Sequence, residues 1–305
     1  MPITPAPAVS RACDVLRILA ATPTRRFSVS ELSRLTGMAR ATCDAVLLAL
    51  SDGGLVVRRD DRLYELGPRC ISLGDAARAA NSLLEIASSA ADGLARRMGS
   101  CVAVSVADGD ETRVADVADY SPPFAITIRV GQAVPMRPPF GAVFVAWAHH
   151  ERIERWLEEP SLDESARVRY RSALADVRRR GFSVTVNTDR DLPGLLEAFS
   201  QSAGDDEARP SAEELFEEMV RSHHLPSHQP SHLDDNLSMR INQLSAPIFG
   251  SDRSVVASIM ILGPNREMPG AEIDALGELV VSTADHVTRS IGGRRPVGEP
   301  WLDPR

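Results

Sequence analysis

Arg40, Thr42 and Asp44 alternate at the start of one short amphipathic segment, and Arg58, Arg59 and Arg62 flank Asp60-Asp61 further along. A guanidinium pairs most often with guanine, a threonine hydroxyl reaches phosphate or a base edge, and a carboxylate accepts from the cytosine amino group. Arginines at a hairpin tip supply attraction to phosphate that is blind to sequence. With Arg11 on the preceding helix, these residues form a set suited to reading a DNA duplex. The plain alternative is that the hairpin arginines make a solvated face.

A second cluster holds His223, His224, His228 and His232 within ten residues, followed by Asp234 and Asp235. Imidazoles beside carboxylates can hold zinc. Here Pro226 and Pro230 interrupt the segment, no helix fixes an i, i+4 pair, and polar histidine-rich loops are commonly solvent-exposed. No metal site is assigned. The chain also has no nucleophile elbow, P-loop, dinucleotide fingerprint or HExxH. No catalytic residue and no cofactor are assigned, and the chain reads as a non-enzyme.

The reading residues need a scaffold. Val9, Ala12, Cys13, Leu16, Leu19 and Ala20 make the apolar stripe of a helix over 9–21, with Ser10 as its cap. Ser28 or Ser30 caps a second helix, with Glu31 near its positive end and Leu32, Leu35 and Met38 pointing inward. Gly37 sits where a helix-turn-helix needs φ > 0. The third helix, 40–51, buries Cys43, Val46, Leu47 and Leu50 and leaves Arg40, Ala41, Thr42, Asp44, Ala45 and Leu48 on or near its outer face. Asp52-Gly53-Gly54 reverses the chain, and 55–59 with 62–66 read as a wing.

Charge distribution agrees with this. The formal net charge is −8 overall, yet residues 1–70 hold ten arginines against seven carboxylates. The electrostatic footprint belongs to the domain that touches phosphate. All 34 basic residues are arginine. Cys13, Cys43, Cys70 and Cys101 are isolated, as expected of reduced, intracellular thiols. No apolar run of about 18 residues occurs and the N-terminus lacks a signal-peptide pattern, so a cytoplasmic location is expected.

Beyond the wing, 71–81 reads as an alanine-rich linker helix and 83–98 as an amphipathic helix. Residues 102–106 and 112–117 alternate around Asp108-Gly109-Asp110 as a hairpin. Further strands are expected at 126–130, 182–186, 238–248 and 255–262, with helices at 140–149, 153–157, 166–180 and 271–291. Strands flanked by helices at both ends give an α+β domain of the small-molecule-sensing type.

The runs SRACDVLRILAA, SVSELSRLTGMARATCDAVLLALSDGGLV and YELGPRCISLG resemble the winged-helix domain of the IclR family of bacterial regulators. VAVSVADGDETRVADVAD, VGQAVPMRPPFGAVFVAW, RRRGFSV and LSAPIFGSDRSVVASIMILGP resemble successive segments of that family's effector domain. The resemblance covers about 8–185 and 240–292. It implies an N-terminal winged helix-turn-helix over 1–70, a linker helix over 71–82 and a GAF-like α+β effector domain over 83–293, with a tail at 294–305. Most of 187–237 looks inserted, either a lid over the pocket or a solvated addition. A short acidic helix is expected over 211–220 and another at 193–199.

The resemblance also implies partners: double-stranded DNA, a small-molecule effector, and a second copy in a homodimer or dimer of dimers. It places the effector against Met136, Phe140, Gly141, Ala142, Gln243, Ser245, Met260 and Leu262. Relatives that bind small carboxylates place Cys or Ser at several such positions, where this chain has Gln243, Met260 and Leu262. Burying a carboxylate without partners costs several kcal/mol, so a larger, weakly polar effector is expected, such as an aromatic, terpenoid or acyl-type catabolic intermediate. The alternative makes Met260 and Leu262 ordinary core.

One departure bears on DNA reading. The family's recognition helix usually begins Pro-Lys-Ser-Thr with an arginine about four residues on, whereas this chain has Ala39-Arg40-Ala41-Thr42 and then Asp44-Ala45. Three functions follow. The first is an effector-responsive regulator that leans on its wing arginines. The second is a sensor or partner-binding protein with a decayed DNA module, and the third a metal-binding protein using its histidines.

Overall fold

A computed structural model describes residues 5–21, 23–122, 128–138, 140–160, 162–186, 233, 238–263 and 266–296. The histidine cluster, the helices expected at 193–199 and 211–220, residues 126–127 and the tail after 296 lie outside the described residues. The chain divides into two compact units, one ending at Asn81 and one beginning at Ser82.

In the first unit, α1 (Pro7–Ala21), α2 (Val29–Thr36) and α3 (Arg40–Asp52) precede a two-stranded wing, β1 (Val56–Arg58) and β2 (Tyr64–Leu66), and then α4 (Arg69–Ala79). Ser28 caps α2 in a complete capping box: its hydroxyl accepts from the Glu31 N–H, and Glu31 accepts from the Ser28 N–H at 2.7 Å. Gly37 ends α2 at φ 67°, the left-handed conformation that lets α3 turn across it. Val15, Leu19, Phe27, Leu32, Cys43, Leu47, Val56 and Tyr64 share one core. The wing pairs antiparallel, Val56 opposite Leu66, and Phe27 bridges to Tyr64, tying the wing to the strand-like entry of α2.

Three expectations here need correcting. Leu35 is 50% exposed, because the chain turns at Gly37 and Met38 fills the core place instead. In α1 the buried stripe centres on Val15 and Leu19, leaving Val9, Cys13 and Ala20 exposed. That helix begins at Pro7, a residue suited to a first turn, so Ser10 is not its cap but sits one turn in and donates to the Ala6 carbonyl.

In the second unit, β3 (Cys101–Asp108), β4 (Glu111–Asp119), β5 (Ala133–Pro135), β6 (Ser183–Val186), β7 (Ser238–Phe249) and β8 (Val255–Leu262) form an antiparallel sheet in the order β5-β4-β3-β8-β7-β6, with β9 (Glu267–Pro269) on β7. Successive residues face opposite sides of the sheet. Val102, Val104, Leu244, Ala246, Ile259 and Ile261 meet α5 (Ser82–Met98) and α9 (Gly270–Ser290). The other face meets α6 (Ala142–Val145), which joins α7 (His150–Leu157) and α8 (Glu164–Arg180) in a separate aromatic cluster with Trp147, Trp156 and Phe249.

The strand expected at 126–130 is not seen in its described part. Ile128–Val130 lead instead into a turn at Gly131, and the edge strand forms at Ala133. The helix expected over 140–149 is a single turn, Ala142–Val145, with a second helix starting at His150.

Candidate functional site

Helix α3 presents one stripe outward. Ala41, Asp44, Ala45 and Leu48 follow the i, i+3, i+4, i+7 spacing and are all exposed, Leu48 by 64%. They lie opposite the buried Cys43, Val46, Leu47 and Leu50. Thr42 is half-buried at the edge of the stripe. Arg40 is exposed, and its Nη1 donates to the Ser30 hydroxyl of α2 at 3.1 Å, which holds the guanidinium back toward that helix. Burial pushes the Cys43 thiol up, helped by the neighbouring Asp44 charge.

The wing arginines are not equivalent. Arg59 Nε donates to Glu65 at 2.6 Å, and Arg26 bridges the same Glu65 and Asp61 at 2.9 Å each. The Asp61 carboxylate also accepts from the Leu63 N–H at the hairpin tip, which is the first cause of its lowered pKa. Arg58 lies over the Tyr64 ring, its guanidinium carbon 5.8 Å from the centroid. Arg62 takes φ 66° at the tip and makes no ion pair among the described residues. Arg11 is exposed on α1. Sequence spacing brought out the six arginine, threonine and aspartate positions, but not that Arg26 and Glu65 neutralise part of the wing.

On the sheet, Gln243 stands opposite Leu262 and Ser245 opposite Met260, so all four share the face that meets α6. Cys101, Ala103 and Val114 pack beside Met260 and Leu262. Burial pushes the Cys101 thiol up to about 12, so it packs as a small apolar side chain. Helix α6 lies against β7 and β8 and buries Ala142 there. Gly141 precedes it at φ 79°, and a Cβ there would meet Met136 Cγ at 2.7 Å. Met136 is held by its N–H on the Asp110 carbonyl and by Arg152 donating to its sulfur. Phe140 is fixed through its carbonyl, which accepts from Trp156 Nε1 at 3.0 Å.

Sequence reading missed two features of this face. Ser183 of β6 is directly opposite Ser245, and both are buried. Ser105 and Ser258 hydrogen-bond across β3 and β8 at 2.8 Å. Neither pairing is local, so no spacing signals it. Among the described residues, no group of three or more His, Cys, Asp or Glu could hold a metal, and no helix is long and apolar enough to cross a membrane.

The first unit, three helices and a wing, has the architecture of a winged helix-turn-helix, and the second is a sheet with helices on both faces. Residues 8–60 match the IclR helix-turn-helix domain. An HTH-type transcriptional regulator of Mycobacterium tuberculosis is 32% identical over 129 residues, 42% of this chain and 49% of that protein. The chain thus spans about half the length of the curated relative it matches. An IclR transcriptional regulator from Alicyclobacillus acidocaldarius superposes with a TM-score of 0.69 at 19% identity, covering 95% of this chain and all of that one. An IclR homolog from Microbacterium hydrocarbonoxydans, crystallised with 4-hydroxybenzoate, gives 0.63 at 15% identity, covering 93% and 98%. At such identities the structural likeness establishes the fold, and residues 8–60 carry the sequence match. Residues 8–60 thus carry the likeness to the IclR helix-turn-helix domain, and the chain as a whole shares the fold of IclR-type regulators.

Proposed function

We propose that this chain binds an operator through its winged head and that a small, weakly polar effector on the sheet face beneath α6 modulates that binding. The observation that carries the first half is α3: its inner face is buried in the head and its outer face is open for a major groove, with the wing arginines beside it. The head's charge balance supports the same reading.

The effector half is supported by a face whose described lining includes the apolar Ala103, Met260 and Leu262, with Gln243, Ser245, Ser183, Ser105 and Ser258 among its polar groups. Neutral donors and acceptors suit an effector with few polar atoms. Because a relative of the same fold was crystallised with 4-hydroxybenzoate, that compound is the first probe.

A homodimer is part of the proposal. Helix α4 buries none of its residues within the chain, and Ile71 and Leu73 are 69% and 55% exposed. Isolated helices of this length are marginal in water, so a second copy is the natural cover.

The test is binding of the full chain to a randomised duplex pool at two salt concentrations, with and without 4-hydroxybenzoate and a panel of aromatic and acyl compounds. Enrichment of a pseudo-palindrome, weakened by salt and shifted by a compound, is the expected result. Absence of salt-dependent DNA binding would overturn the regulator reading and leave a sensor with a decayed head.

A further inference from the structure

The open stripe of α3 has an unusual chemistry for a reading helix. Its members are Ala41, Asp44, Ala45 and Leu48: three apolar side chains and one carboxylate, with no hydrogen-bond donor. Asp44 is exposed and makes no ion pair among the described residues. The nearest guanidinium on the same helix, Arg40, is drawn toward Ser30 of α2.

Major-groove edges sort by what they offer. Guanine presents acceptors, and adenine is usually read by a side chain that both donates and accepts. Guanine therefore calls for donors alone, while adenine calls for a donor at N7 beside an acceptor at its N6 amino group. Cytosine offers its N4 amino donor, and thymine a C5 methyl. The carboxylate of Asp44 can only accept, and Ala41, Ala45 and Leu48 can only make apolar contact. The stripe complements both pyrimidines, offers guanine nothing, and meets adenine only at its N6 amino group, leaving N7 without a donor.

We infer that α3 reads pyrimidines: Asp44 accepts from a cytosine amino group, while Ala45 and Leu48, the neighbouring members of the stripe, pack on thymine methyls of the same strand. This rests on the proposed operator binding and gives it a base chemistry. Asp44 also serves as a filter, since its charge close to the duplex disfavours sites that offer it no amino group. The wing supplies the compensating attraction to phosphate.

The experiment uses the full chain and the duplex enriched from the randomised pool. The expected half-site carries cytosine and thymine on the strand facing α3. Replacing those thymines by uracil, which removes only the methyl, should weaken binding by about fourfold for each methyl contacted. Asp44→Ala should cut discrimination at the cytosine position by about tenfold while raising affinity for unrelated duplexes. Leu48→Ala should abolish the sensitivity to uracil at its own position. Both side chains are exposed, and an unchanged thermal melt confirms that the variants fold.

An enriched site with purines at these positions, indifferent to uracil, would overturn the inference and leave operator binding intact. So would an Asp44→Ala variant that gains affinity equally for every sequence. Loss of all salt-dependent DNA binding by the unmodified chain would instead overturn the operator reading, and this inference with it.

Discussion

The reading head and the sheet domain solve opposite problems. The head keeps its candidate reading side chains outside: its core closes with Val15, Leu19, Leu32 and Leu47, and α3 offers its other face to solvent. The sheet domain encloses its candidate residues in part: Ser245, Met260 and Leu262 are as buried as ordinary core, while Met136, Phe140 and Gln243 are half-buried. Outward residues are free to change chemistry without cost to the fold, which is how α3 can carry Asp44 and Ala45. Inward ones are tied to packing, and any change of ligand chemistry there is also a change of stability.

The largest effects should come from cutting each core separately. Leu47→Ala and Leu244→Ala each empty a fully buried leucine site, with an expected loss of about 2–5 kcal/mol. If the two units are energetically independent, calorimetry of Leu47→Ala shows an early transition from the head alone, and Leu244→Ala one from the sheet domain alone. A single shared transition that moves equally with both would break the comparison.

Next comes Gly141→Ala. An alanine at φ 79° costs about 1–2 kcal/mol, and its Cβ must also displace the Met136 side chain. The sheet domain should melt earlier and its response to an effector should fall, while DNA affinity without effector stays unchanged. Loss of DNA affinity measured alongside an intact effector response would reverse the assignment of this loop.

The capping box gives a smaller and more diagnostic effect. Burial alone would raise the Glu31 pKa, but hydrogen bonds from Ser28 and the pairing with Arg25 outweigh it, so the folded value lies below the ordinary one. Its contribution is therefore complete above the unfolded pKa, about 4.3, and is lost as pH falls through the folded value. Ser28→Ala should cost about 1 kcal/mol at neutral pH, roughly 4–8 °C for a head of this size. Part of that difference should vanish in acid. A pH-independent cost would mean that the Glu31 arm of the box contributes nothing.

What the sequence made legible follows the same division. A serine cap at Ser28 or Ser30, Gly37 and the four buried residues of α3 are local patterns, and the structure settles the cap on Ser28. Ser183 and Ser245 come from strands far apart in the chain, and only the strand register sets them opposite each other. Leu35 satisfied the helical period yet had nothing to pack on, because periodicity reports a face and not whether a neighbour covers it. The short strand Glu267–Pro269 gave too few residues to alternate. In the head, the wing's shape was visible, but the ion pairs that divide its arginines were not.

Those ion pairs set the smallest effect, and the sharpest test of the head. Arg59 and Arg62 are adjacent in the wing and indistinguishable by composition, yet Arg59 shares Glu65 with Arg26 while Arg62 makes no ion pair among the described residues. A guanidinium already held by a carboxylate releases fewer counterions when phosphate arrives, because part of its charge is spent. Exposed pairs of this kind add little to stability, so both alanine variants should melt within about 0.5 kcal/mol of the parent. Their DNA binding should differ. Arg62→Ala is expected to flatten the slope of log affinity against log salt by about 0.9, one full phosphate contact. Arg59→Ala should flatten it by less, and Glu65→Gln should recover a contact by releasing Arg59. Equal slopes for the two arginine variants would mean that the wing reorganises on DNA and breaks the Glu65 pairs as it docks.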